Sequence, residues 1–406
     1  MSHRSRSSIS ATCPRTLLLP GALLAMAAAC EPVTSPRTGS GGTQAVHGPG
    51  DPLPLLTSLQ QRSFKQGNAM FQTTFTPATG LGPLFNARSC AECHEDPVVG
   101  GVGDEVETHA TAYHGGVCDD LGRIGGPVIQ DSVTPALHAV LGIDKEPVPL
   151  EATGFGRRTT PNVLGFGLLD AVPESEIVAR ADPDDRNGDG ISGRPNRLPD
   201  GRIGRFGRKA QIATLHEFTS GAFINEMGIT SPPEPREQTI RDTPLPSGVD
   251  PAPDPELGQA GLDATETFMR LLAPPPPTLS SFAELQGRKL FATVGCTGCH
   301  VPVLHTGSSP VRALSNTTVF AYTDLLLHDM GPELADICLG QAEPAEFRTE
   351  PLMGVQYKEV FLHDGRAPSI EAAIQLHSGE AAGARDRFLA LSPLERAALL
   401  RFVSGL

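Results

Sequence analysis

The sequence predicts a mainly α-helical protein of two similar domains, with long loops and few short strands. One five-residue pattern occurs twice in the 406 residues, as CAECH (90–94) and CTGCH (296–300). A segment with helix-like apolar spacing precedes each copy. The chain also contains 44 glycines and 38 prolines, which favour many turns and loops between short helices.

Three segments carry the helical prediction. Residues 58–75 lead to the first motif and residues 281–295 lead to the second, both with apolar residues at helical spacing. The C-terminal stretch is amphipathic, and Glu395 follows Ser392 in a capping-box position. We expect this last helix to pack across residues 281–291 and to close the second domain.

Proline-rich stretches divide the chain. The prolines within residues 231–258 interrupt any continuous helix or sheet, and APPPPTLS (273–280) marks the cleaner boundary. We therefore predict an N-terminal domain over residues 51–275, which contains the proline-rich insertion, and a C-terminal domain over residues 276–406.

The N-terminus is typical of an export signal. Three arginines precede a short apolar run that ends in small residues before Cys30. The pattern is similar to a bacterial lipoprotein box, and it predicts a signal peptide over residues 1–29 and a flexible tether over residues 30–50. We expect a periplasmic protein with a lipid at Cys30. Ordinary cleavage to a secreted, soluble protein is the alternative.

Cys-x-x-Cys-His is the attachment signature of c-type haem. The two thiols bond to the porphyrin vinyl groups, and the adjacent histidine ligates the iron. A thioredoxin-like redox pair and a zinc site built from the thiolates are the alternatives. Two copies that both end in histidine favour two covalent haems. The candidate haem-binding residues are Cys90, Cys93, His94, Cys296, Cys299 and His300.

The remaining cysteines and the net charge bear on compartment and partners. Cys118 and Cys338 remain once the motifs and the N-terminal segment are assigned. In an oxidising compartment they form either a disulfide that joins the two halves of the chain or two buried free thiols. The net charge of −14 disfavours nucleic acid as a partner and suits a small basic redox protein as electron donor.

Several stretches resemble a known family. LGPLFNARSCAECH, RFGRKAQ (205–211), LFATVGCTGCH and FRTEPLMGVQYKEVFLHDGRAPSIEAAI (347–374) are similar to the di-haem oxidoreductases. That family is related to the bacterial di-haem cytochrome c peroxidases and to the enzyme that matures methylamine dehydrogenase. The resemblance implies an oxidoreductase in which the C-terminal haem passes electrons to an open N-terminal haem, where peroxide or another small oxidant is reduced.

The resemblance also implies axial ligands. In the peroxidases the second ligand of the C-terminal haem lies fourteen residues after the histidine of HDG, which is His377 in this chain. Met330 is the alternative ligand. The stretch leading into TTPNVLG (159–165), where the peroxidases can supply a ligand to the first iron, contains no histidine. We expect His109 and His114 to lie in surface loops, and the first iron to keep an open face.

Reduction of peroxide requires a base, and a cation assists cleavage of the O–O bond. Arg157 and Arg158 are candidate cations, and the acids of LLDAVPESE (168–176), including Glu174, are candidate bases. We expect Arg366 to contact a haem propionate. The chain contains no tryptophan, which relays electrons between the haems in the related enzymes, so electrons pass directly or through Phe, Tyr or backbone.

A calcium loop is a further possibility. Asp185, Asn187 and Asp189 alternate within residues 182–196 as at the start of an EF-hand loop. Asn196 stands where the final glutamate would be, so a plain turn is the alternative. Two other functions stay open beside peroxide reduction. One is a pure electron-transfer cytochrome, and the other is a haem enzyme that oxidises an organic or protein substrate.

Overall fold

The computed structural model describes residues 48–277 and 281–406. The predicted signal peptide, the lipid site at Cys30 and most of the predicted tether lie outside these residues. None of the helices in the described ranges is long and apolar enough to cross a membrane. The helices are Ser58–Phe71 (α1), Cys90–Cys93 (α2), Pro135–Leu141 (α3), Phe166–Asp170 (α4), Glu174–Val178 (α5), Leu215–Met227 (α6), Gln259–Leu271 (α7), Phe282–Thr293 (α8), Ile370–Leu376 (α9), Ala382–Leu389 (α10) and Pro393–Val403 (α11).

The strands are short apart from two. They are Leu84–Phe85 (β1), Val106–His114 (β2), Val117–Asp119 (β3), Val128–Ile129 (β4), Ser132–Val133 (β5), Gly154–Thr159 (β6), Thr239–Ile240 (β7), Thr243–Pro244 (β8), Leu304–His305 (β9), Thr318–Val319 (β10), Leu327–Asp329 (β11) and Glu346–Arg348 (β12). The central strand β2 pairs antiparallel with β3, β4 and β6. This sheet was not predicted, because β3 and β4 have only three and two residues and the longer strand β2 shows no alternation of buried and exposed residues.

A crossed helix pair accompanies each motif. Helix α1 packs against α7, and α8 packs against α11. Both crossings require a glycine. A Cβ on Gly67 would lie 2.1 Å from the Ala264 carbonyl oxygen, and a Cβ on Gly287 would lie 2.1 Å from that of Ala398. The predicted helices before the motifs and at the C-terminus are confirmed, including the capping box that begins at Ser392.

Each pair also places an aromatic ring against the histidine of its motif. The Phe71 ring of α1 lies 5.9 Å from the His94 ring, and the Phe291 ring of α8 lies 6.4 Å from the His300 ring. A phenylalanine of the closing helix, α7 or α11, packs on the other side of each ring. The helix pairs therefore position both histidines in similar apolar surroundings.

The largest apolar cluster contains residues from both halves of the chain. Phe268 and Leu271 of α7 belong to it, together with Leu304 and Leu325 from beyond the second motif. The predicted boundary near residue 275 falls in the connection between α7 and α8, and the division into two haem domains stays a prediction.

The proline-rich insertion is more ordered than its sequence indicates. Its prolines do exclude a long helix, but β7 and β8 form a small hairpin within it. Ile240, Leu245 and Val249 pack with Leu84 and Leu137 in a separate apolar cluster. The insertion is therefore part of the folded N-terminal half.

Cys118 and Cys338 form a disulfide across 220 residues of sequence. Cys338 is completely buried, and its backbone N–H donates to Thr111 Oγ1 on β2 at 3.2 Å. Of the two alternatives for these thiols, the structure has the disulfide. The bond fixes the segment that contains Asp336 to the edge of the four-stranded sheet.

Candidate haem sites

The second motif lies directly after α8. Gly295 adopts a left-handed conformation with φ 93°, which favours glycine, and Cys296–Gly298 form one short turn. His300 donates its Nδ1–H to the Tyr322 carbonyl at 3.0 Å, which leaves Nε2 free for a metal. Burial lowers the pKa of His300 to about 4, so the imidazole is neutral at pH 7, as a ligand must be.

A cavity of about 440 Å³ lies beside this motif. Cys296, Cys299 and His300 line it, together with the predicted ligand His377 and the alternative Met330. The other wall residues include the apolar side chains of Phe291, Leu352, Phe361, Leu399 and Val403. The structure thus brings both candidate ligands to the cavity that contains the motif, and the choice between them stays a prediction.

His377 has the same hydrogen-bond pattern as His300. At the C-terminal end of α9, it donates Nδ1–H to the Ala373 carbonyl at 2.7 Å, and burial lowers its pKa. Its Nε2 is again the nitrogen available to a metal. A fixed tautomer of this kind is typical of metal-ligating histidines.

Cations surround one part of the cavity. Arg208, Arg348, Lys358 and the carboxylate of Glu350 line it, and the cavity wall also contains Arg385, Arg387, Asp189 and Glu380. Burial would raise the pKa of Glu350, but Arg208 and Arg348 hold it at about 2, and burial lowers the pKa of Lys358 to about 8. Arg366, the expected propionate contact, is exposed, does not line the cavity, and pairs with the carboxylate two residues earlier.

A buried histidine in the same wall was missed from the sequence. His328 lies between Asp324 (2.9 Å) and Glu380 (2.8 Å), and 3.5 Å from Cys299 Sγ. Burial opposes its protonation, but the bonds to Asp324, Cys299 and Glu380 raise its pKa well above the usual value. The imidazolium therefore adds a further cation. The only signal in the sequence was its place in LHDMG, two residues before Met330.

The first motif forms the short helix α2. Ser89 caps it by accepting the backbone N–H of Glu92 at 3.1 Å. His94 donates Nδ1–H to the Gly101 carbonyl at 3.1 Å, so its Nε2 is free, as in His300. Burial raises the pKa of Cys90 to about 12 and also raises that of Cys93, which keeps both thiols protonated. All four motif cysteines are free.

Beside the first motif lies a buried group of acids, also missed from the sequence. Glu107 on β2 and Glu226 on α6 share a hydrogen bond, and burial raises the pKa of both. Both carboxyls are close enough to Cys93 to raise its pKa. Asn86 donates to Glu226 Oε2 at 2.9 Å. Two buried carboxyls in contact cannot both ionise easily, so the pair holds a proton at neutral pH.

His109 was expected in a surface loop, and this was wrong. It lies on β2 with its side chain only 12 % exposed, and its Nε2 is 3.1 Å from Glu107 Oε2. Its buried Nδ1 has no hydrogen-bond partner. Burial and the nearby Arg158 lower the pKa of His109 to about 4. His114, at the exposed end of the same strand, does lie at the surface.

The candidate catalytic residues have varied surroundings. Arg158 is buried on β6, opposite Glu107, and forms an ion pair with Asp336. Arg157 points to solvent. Glu174 accepts the Ile203 backbone N–H at 3.0 Å, a bond that fastens one loop. Two other acids of the same segment are likewise engaged in ion pairs, Asp170 with Arg270 and Glu176 with Arg180.

The segment of the possible calcium loop forms a turn from its own hydrogen bonds. The Gly190 N–H donates to Asp185 at 3.2 Å, and Asn187 Nδ2 donates to Asp189 Oδ2 at 3.1 Å. Asn196 is buried and donates to the Lys209 carbonyl at 2.8 Å, away from the turn. These bonds support the plain turn, and calcium at this loop stays a prediction.

The two motifs therefore define a protein with two histidine–thiol sites, one of them in a cavity. The sequence model described as “Di-haem oxidoreductase, putative peroxidase” matches residues 150–406, and the chain belongs to this family. Membership implies two haem cofactors and makes the protein an oxidoreductase. The matched range contains the second motif, whereas the first motif lies outside it.

No curated protein matches. The chain is similar to Kuenenia stuttgartiensis hydrazine synthase pressurized with xenon (TM-score 0.38, 13% identity, 93% of this chain and 100% of that one). It is also similar to the diheme peroxidase BthA from Burkholderia thailandensis E264 (TM-score 0.41, 16% identity, 85% of this chain and 86% of that one). A MauG-like protein associated with microbial copper homeostasis is similar as well (TM-score 0.41, 15% identity, 87% of this chain and 92% of that one).

The residues at both motifs fit a haem. Each site offers two protonated free thiols three positions apart in the sequence and a neutral histidine with Nε2 available. The second site adds an apolar cavity with a cationic wall that suits the propionates of a porphyrin. His94 and His300 would ligate the irons, and His377 has the matching tautomer for a second axial position.

Proposed function

We propose that this protein is a periplasmic di-haem c-type oxidoreductase that reduces hydrogen peroxide or a similar small oxidant. Thioether bonds would join one haem to Cys90 and Cys93 and the other to Cys296 and Cys299. The observation that carries the proposal is the shared geometry of the motif histidines, each fixed by a backbone carbonyl with Nε2 left for iron. When bound, each haem exchanges one electron, and an iron with a free axial position can bind an oxidant.

The second site supports electron entry. His300 and His377 would hold its iron from two sides, which leaves no position for an oxidant. Arg208, Arg348 and Lys358 would face the propionates, because the five arginine and lysine side chains of the cavity wall outnumber its three carboxylates. This haem would receive electrons from a small redox protein and pass them to the first.

The first site supports the chemistry, because protonated acids lie beside it. Reduction of peroxide to water consumes two protons and two electrons. The hydrogen-bonded Glu107–Glu226 pair retains a proton at neutral pH, and Arg158 supplies a fixed positive charge opposite Glu107. We infer that this pair, rather than Glu174, moves protons at the first site, because Glu174 is occupied in a loop contact.

The compartment is part of the same proposal. A disulfide between Cys118 and Cys338 requires an oxidising environment, and the N-terminal pattern before Cys30 is that of an exported lipoprotein. The membrane would be reached only through this lipid. The acidic surface, with a net charge of −14, suits a basic donor protein and disfavours nucleic acid.

A second candidate is a di-haem electron carrier in which both irons are six-coordinate. One observation favours it. The buried Nδ1 of His109 has no partner and lies in the acid group beside the first motif, so this nitrogen is available as an axial ligand.

Electron paramagnetic resonance and optical spectra of the oxidised and half-reduced protein distinguish the two candidates. An open first iron gives a high-spin ferric signal that shifts with cyanide and disappears with peroxide. Two low-spin haems that ignore both ligands in both redox states would refute peroxide reduction. The variant His109→Ala then identifies the ligand, since it creates a high-spin signal only where His109 binds iron. His114→Ala, at the exposed end of the same strand, is the matched control.

A further inference from the structure

Electrons that enter at one haem and are used at the other must cross the protein between the sites. The chain has no tryptophan, so an indole cannot provide the path. Tunnelling decays less steeply through covalent and hydrogen bonds than through space. A short, continuous chain of bonds between the two sites is therefore the favoured route.

The segment TTPNV (159–163) begins at Thr159, the last residue of β6. This first residue contacts the second site. The Thr159 N–H donates to the His363 carbonyl at 3.0 Å. The Arg208 guanidinium donates to the Thr159 carbonyl at 3.2 Å. Both His363 and Arg208 line the cavity of His300, so both polar groups of this peptide residue are bonded to the cavity wall.

The other end of the same segment contacts the first site. The Val163 N–H donates to the Gly100 carbonyl at 3.1 Å, and the Gly100 N–H donates to the His94 carbonyl at 2.9 Å. The backbone of Pro161 is also an acceptor close to the His94 imidazole. Five residues therefore connect the wall of the second site to the proximal histidine of the first.

This segment is dry and held in place. Thr159 and Thr160 are each 5 % exposed and Val163 is fully buried. Asn162 donates to the Met353 carbonyl at 3.2 Å and accepts the Leu164 N–H at 2.8 Å. Proline fixes its own φ angle, and the fixed backbone keeps the terminal hydrogen bonds at constant length.

We propose that residues 159–163 are the electron-transfer bridge between the two haem sites. Electrons enter this segment through the Thr159–His363 hydrogen bond. They leave it through the contacts of Pro161 and Gly100 with His94. The inference rests on the proposed function, since it requires a haem at each motif. In the step itself, one electron would pass from a reduced haem held by His300 to an oxidised haem held by His94. No proton or covalent bond is transferred.

The test removes the entry bond and compares it with a neighbouring control. Thr159→Pro deletes the N–H that donates to His363, while the Thr159 carbonyl still accepts from Arg208. Thr160→Pro introduces the same residue one position later, at the end of the β2–β6 pairing, and leaves the Thr159–His363 bond intact. Extended backbone precedes both positions, as proline requires.

The measurement is electron equilibration between the haems, not turnover. A photogenerated deazaflavin radical delivers one electron to the fully oxidised haem protein, and absorbance at the two haems follows its redistribution. We expect Thr159→Pro to slow this redistribution severalfold and Thr160→Pro to keep the wild-type rate. If both variants redistribute the electron at the wild-type rate, or if both are slowed equally, the proposed bridge is refuted.

Two precautions keep the test decisive. Each variant must show the wild-type optical spectrum at both haems. If Thr159→Pro does not, the α-hydroxy analogue of threonine at position 159 replaces the N–H by an ester oxygen with little change in shape. A wild-type protein that ignores peroxide would refute the proposed function without affecting this test, because redistribution of the electron needs no peroxide.

Discussion

The close backbone contact within each helix pair gives a sharp prediction about stability. Gly287 of α8 crosses α11 so closely that an added Cβ would lie 2.1 Å from the Ala398 carbonyl oxygen and 2.6 Å from Phe402 Cβ. Neither atom is the end of a flexible side chain, so Gly287→Ala must separate the two helices. Phe291, one turn later, would move away from His300 with its helix.

The size of the effect follows from two opposing terms. Overpacking a closed core contact costs about 1–3 kcal/mol, and a clash with backbone belongs at the upper end of that range. Alanine in place of glycine inside a helix returns about 1 kcal/mol. We therefore expect Gly287→Ala to lower the free energy of unfolding by about 2 kcal/mol.

Urea unfolding followed by circular dichroism measures this change, with Gly383→Ala as the control. Gly383 lies in α10, and a Cβ there meets only the Arg387 guanidinium, at 3.4 Å or more. We expect the control to stabilise the protein slightly, by about 0.5–1 kcal/mol. A Gly287→Ala protein as stable as the control would refute the argument that the crossing requires glycine. Gly67→Ala at the α1–α7 crossing should behave like Gly287→Ala.

Replacing Cys118 and Cys338 by alanine releases a loop of 220 residues, and chain entropy then predicts a loss of up to about 5 kcal/mol in urea unfolding. Glu146 is 2 % exposed, and burial raises its pKa from 4.5 to about 8. The folded state therefore loses stability as pH rises from 4.5 to 8, and Glu146→Gln should gain on the order of 3 kcal/mol at pH 8 and nothing at pH 4. If His377 ligates iron, His377→Met raises the potential of the second haem in a potentiometric titration, whereas Met330→Leu leaves it unchanged.

The local sequence pattern was sufficient to predict the helices at the motifs, but it did not predict the acids that lie beside them. The capping box at Ser392 and the apolar spacing before CTGCH each depend only on residues that are neighbours in the sequence. Glu107 and Glu226 are distant in sequence and meet only because β2 pairs with β6 and packs near α6. In the sequence each resembles an ordinary solvated charge, and His109 between them resembles a loop residue.

The duplicated crossing was present in the sequence but hidden by an insertion. Gly67 and Phe71 are four residues apart, as are Gly287 and Phe291. The second pair stands directly before its motif, whereas TTFTPATGLGPLFNARS and neighbouring residues separate the first pair from CAECH. A comparison at fixed spacing from the two motifs does not align the two Gly–Phe pairs. The close helix contact requires glycine in both pairs, whereas nothing fixes the length of the loop that follows.

The charged groups at the two sites differ, and this difference bears on the direction of electron flow. Arg208, Arg348 and the His328 imidazolium lie at the second cavity. Positive charge stabilises the reduced, less positive form of an iron and raises its potential. A second histidine ligand such as His377 lowers the potential relative to methionine. If His377 is the second ligand, these cations would therefore oppose the effect of bis-histidine ligation on the potential. The first site instead has acids that hold a proton beside the cation of Arg158, so reduction at this site would be coupled to protonation.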